Sequence, residues 1–548
     1  MRSYWLRLVA VFLALTLVAA ACGGDDDAPV ATGDEPAAEE PAPEEPAPEE
    51  PMLPTELTGL TVVDDKTFTV SLTEADPEFP LRLSYTGFAP LPSAFYDDPV
   101  AFEESPIGNG PFMLDGSWEH DVQVRLVPNP NYAGPVQPQL SSLTFNIYED
   151  VSTTGYLDTQ AGVVDVSETV PGDAAATAPD EFGDRYAESP ATSFYYYGFP
   201  SYLNDQYPLD LRRALSMSVD RELISQVIFD GTTLPSNAAV PPSLAGSRTD
   251  VCGNWNYDPA GAQAAFAAYG GLEALGDQQL IVWHNTSETL GISIDNISFE
   301  NLEFSEYLPL LDEQGVTGPF RLGWGADYLS PLNFLEPLYA SYSQRPVSSN
   351  SSFYDSEVFD QALADGKAAF AASSDLNDAI PFYQAAENDI CENVAILPIH
   401  FGKNTYAWTD NIDNVFKNAL GNMNWDEMVG GDVTGAIGEP EHLAPPLSNE
   451  SEGIEVLEAV FSQLVEYDHR TSEPGNVVAE SVTTDDGGKT WTIVVADGWT
   501  FHNGEAVTAS SFVDAWNWTA TGANAAANNG FFGVVDGWDD MNPPSDEG

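Results

Sequence analysis

Short runs of alternating apolar and polar residues and longer amphipathic runs follow one another along this chain without a fixed period. Apolar and polar residues alternate over LTVVDDKTFTVSL (60–72) and VQVRLVPNPNY (122–132), which is typical of strands bounded by turns. DLRRALSMSVDRELISQVIF (210–229) and SEVFDQALADGKAAFAA (356–372) have helical spacing, and Asp210 lies near the start of the first. This mixture predicts α/β lobes with mixed sheets. Because 548 residues exceed what one hydrophobic core usually supports, we expect two or three lobes.

The amino-terminal segment has the pattern of an export signal followed by a stalk. Arg2 and Arg7 precede an apolar run that is short for a membrane span, and three alanines stand directly before Cys22. This resembles the bacterial lipobox, in which the cysteine becomes the lipidated first residue; an ordinary signal with an incidental cysteine is the alternative. The sequence predicts a signal peptide over 1–21 and a lipidated cysteine with an acidic, proline-rich stalk over 22–54, and hence a place on the outer face of the cytoplasmic membrane.

The net charge of the chain is strongly negative. The sequence has 86 acidic and 17 basic side chains, a formal charge of −69, which repels the phosphates of nucleic acids and anionic lipid headgroups. A nucleic-acid-binding function is therefore excluded. A solvated surface suited to high salt is the favoured explanation of the charge, and a cationic ligand is the alternative.

The remaining cysteines and the usual catalytic motifs give little support to an enzyme. Cys252 and Cys391 either pair as a disulfide in an oxidising compartment or stay as two separate thiols, and their spacing fits no zinc site. The sequence has no His-Glu-x-x-His motif, no Gly-x-Ser-x-Gly elbow and no phosphate loop. We therefore expect no catalytic residues, no metal and no cofactor, with a secreted hydrolase as the second class of function.

Several segments together resemble extracellular solute-binding protein family 5, the oligopeptide, dipeptide and nickel receptors of ABC importers. They are SPIGNGPFMLDGSW (105–118), VPNPNYAG (127–134), DLRRALSMSVDRELI (210–224), FRLGWGADYLSPLNFLEPLY (320–339) and GEPEHLAPPLSNESEGIEVLEAVFSQLVEYD (438–468). The resemblance implies a two-lobed periplasmic-binding-protein-like fold of class II, with mixed sheets, an extra subdomain and a hinged cleft. It also implies a solute receptor and not an enzyme.

The order of these segments departs from the family. The stretch from GEPEHL (438–443) to the end of the chain resembles what opens a mature member, so the sequence looks circularly permuted. We expect residues near 57–63 and 534–538 to lie in one small subdomain. An amphipathic helix that the family has is missing near Glu288, between WHNTSE (283–288) and LGISI (290–294).

The stretch from Arg321 to Asp327 is the main candidate for ligand contact. Asp327 can pair with an ammonium group, Arg321 with a carboxylate, and Trp324 can flank side chains. Gly323 and Gly325 allow a ligand backbone to approach closely. By resemblance, the matching aspartate holds a peptide's amino terminus and the glycine segment forms strand-like hydrogen bonds with the ligand. The alternatives are a helix N-cap or turn role for Asp327 and a surface ion pair for Arg321.

Four further residues are candidates because the matching segments line the cleft or hinge in the family. They are Glu439, His442, Asn109 and Tyr196. Tyr196 lies in a tyrosine triplet, for which packing is favoured over ligand contact.

The resemblance also implies a domain plan and partners. We expect a small subdomain over 55–104 and 469–548, a proximal lobe over 105–193 and 401–468, and a distal lobe over 194–400. The expected partners are an oligopeptide-like solute and the permease subunits of an ABC importer, with the protein itself a monomer held to the membrane by its lipid. A nickel complex or a sugar is the alternative ligand.

Overall fold

The structure, a computed structural model, describes residues 53–276, 304–345, 348–373 and 375–543. Strands and helices alternate irregularly in this part of the chain, as the sequence patterns predict. The strands are β1 Leu60–Val62, β2 Thr67–Ser71, β3 Phe112–Leu114, β4 Gln123–Pro128, β5 Ser142–Ile147, β6 Val166–Ser167, β7 Tyr186–Gly198, β8 Leu234–Pro235, β9 Phe320–Gly325, β10 Ile396–Trp408, β11 Asp432–Ile437, β12 Val465–Tyr467, β13 Pro474–Asn476, β14 Ala479–Thr484 and β15 Thr490–Val495.

The helices are mostly short. They are α1 Phe79–Arg82, α2 Ser93–Asp97, α3 Pro99–Glu103, α4 Tyr156–Gln160, α5 Ala178–Phe182, α6 Leu209–Met217, α7 Arg221–Val227, α8 Pro259–Tyr269, α9 Gly271–Leu275, α10 Phe304–Asp312, α11 Leu332–Tyr339, α12 Glu357–Ser373, α13 Leu376–Glu392, α14 Ser451–Val460, α15 Ala509–Ala520 and α16 Trp538–Met541. Single turns of 3₁₀ or π helix connect several of them.

The predicted helix over 210–229 is two helices, and this expectation was wrong in detail. The chain leaves the first helix, α6, at Ser218, and Asp220 begins the second, α7, by accepting a hydrogen bond from the Leu223 N–H. An aspartate at an N-cap satisfies a backbone donor that a continuous helix would bond internally. The amphipathic spacing continues across the break, so periodicity alone did not reveal it.

A nine-stranded mixed sheet forms the centre of the fold. Its strand order is β3-β4-β5-β11-β6-β10-β7-β9, and β8 pairs with β10. β11 runs parallel to β5 and β6, while the other neighbours are antiparallel. β9, which carries the main candidate residues, lies at one edge of this sheet.

Two long strands, β7 and β10, connect two large hydrophobic cores. The first core is built mainly from residues 57–166 and 406–541, and the second mainly from 194–401. On β10, Tyr406 is buried in the first core and Phe401 in the second. The pairing of β10 with β7 is irregular between Pro398 and His400 and between Phe401 and Lys403. The division of this part of the chain into lobes stays a prediction.

The two ends of the described chain build one small sheet. Its order is β1-β2-β15-β14, so strands from near residue 60 pair with strands from near residue 490. The Gly59 N–H donates to the Asp536 carbonyl at 2.8 Å, and the Thr73 N–H donates to the Val534 carbonyl at 2.8 Å. The expectation that residues near 57–63 and 534–538 lie together is confirmed.

Cys252 and Cys391 form a disulfide, with their Cα atoms 6.2 Å apart. It ties the segment before α8 to the buried end of α13. Cys22 and the segment around Glu288 lie outside the described residues. No helix in the described part of the chain is both long and apolar enough to span a membrane.

Candidate functional site

The open edge of β9 is the centre of the candidate site. Ala326, just after this strand, donates its N–H to the Thr192 carbonyl at 2.9 Å. Backbone groups alternate in direction along an antiparallel strand, so Trp324 and Leu322 also bond to β7. The N–H and C=O groups of Gly323 and Gly325 therefore point away from β7. Within the described ranges, no other strand pairs with this edge.

The two glycines of β9 have different reasons to be glycine. A Cβ added to Gly323 would lie 2.6 Å from a ring carbon of Tyr195, so the aromatic ring requires the missing side chain. A Cβ added to Gly325 would meet nothing within 4 Å. Both residues are exposed, and Gly325 leaves an open strip beside the strand.

Asp327 follows the strand and is held by Asn333 from helix α11. The Asn333 side-chain N–H donates to Oδ2 of Asp327 at 3.0 Å, and the Asp327 backbone N–H donates to Oδ1 of Asn333 at 3.0 Å. The indole N–H of Trp324 lies 3.4 Å from the same Asn333 oxygen. Asn333 is only 3% exposed, so it fixes both side chains from within the protein.

The Asp327 carboxylate has no cationic partner among the described residues. Its Oδ1 atom accepts no hydrogen bond there, and no lysine or arginine lies within ion-pair distance. Burial raises the pKa of Asp327, while the bond from Asn333 and the charge of Arg82 act in the opposite direction. The following helix has Pro331 at its N-cap, so Asp327 does not cap it. A half-buried carboxylate with an unused oxygen can accept an ammonium group.

Arg321 lies at the end of β9 opposite to Asp327, and it is the first exposed residue of the strand. Its guanidinium carbon lies 5.5 Å from the centre of the Tyr195 ring, and this ring stacks on His400 at 4.6 Å. Burial lowers the pKa of His400 to about 4, so this histidine is neutral at pH 7. Arg321 is exposed and forms no ion pair within the described residues, so its charge is available to an anionic group.

The other predicted site residues have internal partners. Glu439 bonds to His120, with 2.9 Å between Oε1 and Nδ1, and His442 bonds to Glu103 at 2.8 Å. The Asn109 side chain is fully buried and exchanges two hydrogen bonds with the Ser462 backbone. These contacts join segments of the first core, and they do not bring the three residues to β9.

Tyr196 is a core residue of the second lobe. It is 1% exposed, stacks on Phe194 at 5.2 Å and packs edge-on against Tyr339 at 6.2 Å. Successive side chains of a strand point to opposite faces of the sheet, so Tyr196 points into the core while Tyr195 lies partly exposed beside Arg321. Of the triplet, the structure brings Tyr195 and not Tyr196 to the candidate site.

Sequence reasoning missed Asn333, and it did not separate Tyr195 from the other two tyrosines of the triplet. The one available signal for Asn333 was a polar residue inside the apolar run LNFLEPLY, where a buried amide needs hydrogen-bond partners. The described residues contain no group of three or more histidine, cysteine or acidic side chains able to hold a metal ion.

Known proteins match this chain over most of its length. The profile described as bacterial extracellular solute-binding proteins, family 5 Middle, matches residues 29–345 and 473–545. The periplasmic oligopeptide-binding protein OppA of Salmonella typhimurium is 24% identical over 391 residues, which cover 66% of this chain and 70% of OppA. The dipeptide-binding protein of Escherichia coli is 26% identical over 365 residues, covering 61% and 64%. The solved structure of HbpA2 from Haemophilus parasuis matches with a TM-score of 0.55 at 20% identity, over 67% of this chain and 74% of HbpA2.

Proposed function

Since this chain belongs to the bacterial extracellular solute-binding proteins of family 5, we propose that it binds short peptides and delivers them to the permease of an ABC importer. The predicted periplasmic-binding-protein-like α/β fold is confirmed by the structural match. Members of this family are solute-binding receptors and not enzymes. Both curated relatives described above are named for binding peptides, which supports a peptide as the ligand.

The observation that carries the proposal is the unpaired edge of β9. A peptide in extended conformation adds to such an edge through main-chain hydrogen bonds, which do not depend on its side chains. Gly323 and Gly325 direct their backbone groups to this edge, and neither has a side chain to block the approach. We infer that the ligand lies along β9 as an additional strand.

Opposite charges stand at the two ends of this edge. Asp327 binds the ligand ammonium group through its unused oxygen, and Arg321 binds a carboxylate. Six positions along a strand span roughly 20 Å. This length fits an extended peptide of about six residues with both of its charged ends engaged, and a shorter peptide engages one end.

Delivery requires a place outside the cytoplasm and a change of shape on binding. We propose that Cys22 carries a lipid and that the acidic stalk after it holds the monomeric receptor near the membrane. Closure of the two lobes about β7 and β10 presents a joint surface to the permease. Ligand binding and partner recognition are then linked.

Calorimetric titration with a tripeptide and its N-acetylated form tests the role of Asp327. Removing one partner of a buried, hydrogen-bonded charge pair costs about 2–5 kcal/mol, so Asp327→Ala should weaken peptide affinity by roughly thirty-fold or more. Acetylation should weaken binding to the wild type by a similar factor. Asp365→Ala, which removes an exposed carboxylate on α12, is the control and should bind like the wild type.

Two results would contradict this function. If Asp327→Ala and the wild type bind the tripeptide equally, Asp327 is a turn residue. If a native mass spectrum of the purified protein finds a co-purified sugar or metal complex and no tripeptide binds, the ligand is not a peptide.

A further inference from the structure

A cavity lined by acidic side chains lies beside the candidate site. Its volume is about 50 Å³. Tyr467 lines it, and the hydroxyl of Tyr467 accepts the Leu329 N–H at 3.0 Å, only two residues after Asp327. Burial raises the pKa of Tyr85, and the charges of Asp327 and Glu458 add to this effect, so both carboxylates lie near this tyrosine.

The charges on the cavity wall are not balanced. Asp426, Glu458 and Glu466 line it together with His469, and no lysine or arginine of the described ranges does. Asp426 pairs with His469 at 3.5 Å, and Glu466 accepts the Gln463 N–H at 3.1 Å. Glu458 forms no hydrogen bond or ion pair with any described residue. Its carboxyl group is surrounded by protein, and the partly exposed surface of the side chain belongs to the cavity wall.

Two cations that neighbour wall residues along the chain are already paired. Lys417 bonds to Glu168 at 3.1 Å, and Arg470 lies 3.5 Å from Glu427. A second polar group of the wall is also unsatisfied, because Nδ1 of His469 is buried and has no hydrogen-bond partner in the described part of the chain. The wall therefore has both unused hydrogen-bonding capacity and an uncompensated carboxyl group.

The acidic groups around Glu458 affect its protonation. Burial, followed by the charges of Glu466, Glu455 and Asp426, raises the pKa of Glu458 well above its usual range. Burial, with the charge of Asp426, raises the pKa of Glu466 to about 7. Both carboxyl groups therefore hold protons more tightly than usual, and a bound cation would displace these protons.

We propose that this cavity binds a basic side chain of the ligand, a lysine ammonium or an arginine guanidinium, and so selects cationic peptides. The inference rests on the proposed peptide-binding function and names the class of peptide. Glu458 supplies the charge for a charge-assisted hydrogen bond, and the aromatic rings of Trp425 and Tyr132 on the wall favour an organic cation. The ligand ammonium at Asp327 and the basic side chain in the cavity then occupy neighbouring positions.

Titration of the full-length protein with Lys-Ala-Ala and norleucine-Ala-Ala tests the inference. Norleucine has a similar shape to lysine and no charge. We expect the wild type at pH 7.5 to bind the lysine peptide at least ten-fold more tightly. In Glu458→Gln the ratio of the two Kd values should fall to about one, and in the control Glu452→Gln, on the same helix α14, it should stay at the wild-type value.

Proton release provides a second measurement that does not need a variant. Titrations in buffers with different ionisation enthalpies should show that the wild type releases more protons on binding the lysine peptide than on binding the norleucine peptide. Equal affinities and equal proton release for the two peptides would overturn the inference and leave the proposed function intact. If neither peptide binds, the proposed function fails, and this inference fails with it.

Discussion

At the scale of single residues, Asn333 determines the geometry of the candidate site. It is buried in helix α11, yet it orients the carboxylate of Asp327 and the indole of Trp324 through one amide group. Sequence reasoning identified Asp327 and Trp324 because charge and aromatic character are visible in the residue type. Asn333 was missed because its role depends on where α11 packs against the end of β9.

Glu78 shows how tertiary packing creates a pH-sensitive group far from any motif. Its side chain is completely buried, the Tyr383 hydroxyl donates to Oε1 at 2.7 Å, and Oε2 has no hydrogen-bond partner among the described residues. The pKa of Glu78 is raised to about 7: burial is the largest cause, the charges of Asp76 and Glu336 act in the same direction, and hydrogen bonds from Ser330 and Tyr383 oppose it.

We predict that Glu78 makes the protein less stable as the pH rises. The raised pKa means that the folded state binds this proton more tightly than the unfolded chain. The stabilisation is therefore complete below the unfolded pKa of 4.5 and is lost as the pH rises through about 7. The effect is on the order of 3 kcal/mol.

Urea unfolding at several pH values between 5 and 8 measures this dependence. Glu78→Gln should remove part of the slope, while Glu480→Gln, an exposed residue on β14, should leave it unchanged. The pKa of Glu466 is raised as well, so the titration of Glu466 leaves part of the pH dependence of stability in the Glu78→Gln variant. An identical pH profile for Glu78→Gln and the wild type would show that Glu78 does not hold this proton.

At the scale of elements, β9 packs against the protein along one edge, and the other edge is the proposed ligand site. The buried side chains of β9 pack in the second core, and one edge of its backbone pairs with β7. The backbone groups of the exposed residues point to the other edge, which no described strand pairs with. The two glycines differ in their surroundings, because a side chain at Gly323 would meet the Tyr195 ring and one at Gly325 would meet open space.

We predict that one of two matched substitutions in β9 weakens peptide binding and that the other lowers stability. Gly325→Val places a side chain in open space on the ligand edge, so it should weaken tripeptide binding by roughly ten-fold or more and leave the melting temperature nearly unchanged. Gly323→Val drives its side chain into the Tyr195 ring, and such overpacking typically costs about 1–3 kcal/mol of stability. Calorimetric titration and thermal unfolding of both variants check this. Full affinity in Gly325→Val would place the ligand elsewhere.

The helix over 210–229 shows the limit of periodicity for elements. The spacing of apolar residues predicted the helical content correctly, but the break at 218–220 depends on the Asp220 cap. A capping aspartate and an aspartate on a solvated helix face have the same pattern in a sequence. The local hydrogen bond, and not the spacing, decides between them.

At the scale of the whole molecule, both ends of the described chain belong to one sheet. β2 pairs with β15, and hydrogen bonds join Gly59 to Asp536 and Thr73 to Val534. This contact is what a circular permutation of the family's order requires, and the permutation stays a prediction. Ends that already meet can be joined at little cost, because few buried contacts change.

We predict that a rearranged chain folds and binds peptide like the original. The rearranged chain runs from residue 438 to 543, continues through a short glycine-serine linker and then runs from 55 to 437. A control chain opened inside β10 at Gly402 should fail to fold, because it cuts a central strand of the sheet. Circular dichroism, urea unfolding and tripeptide titration compare the three proteins. Aggregation of the first rearrangement would refute the permutation.

The sequence by itself determined the fold class, the mixture of strands and helices and the charged, glycine-rich stretch from Arg321 to Asp327. These properties follow from local periodicity and from the chemistry of residues that are neighbours along the chain. Only the tertiary structure decided that Asn109 and Tyr196 are buried, that Asn333 orients Asp327, and that Glu458 lines a cavity. These features depend on contacts between residues far apart in sequence. Packing of the elements sets such contacts, and no local pattern encodes them.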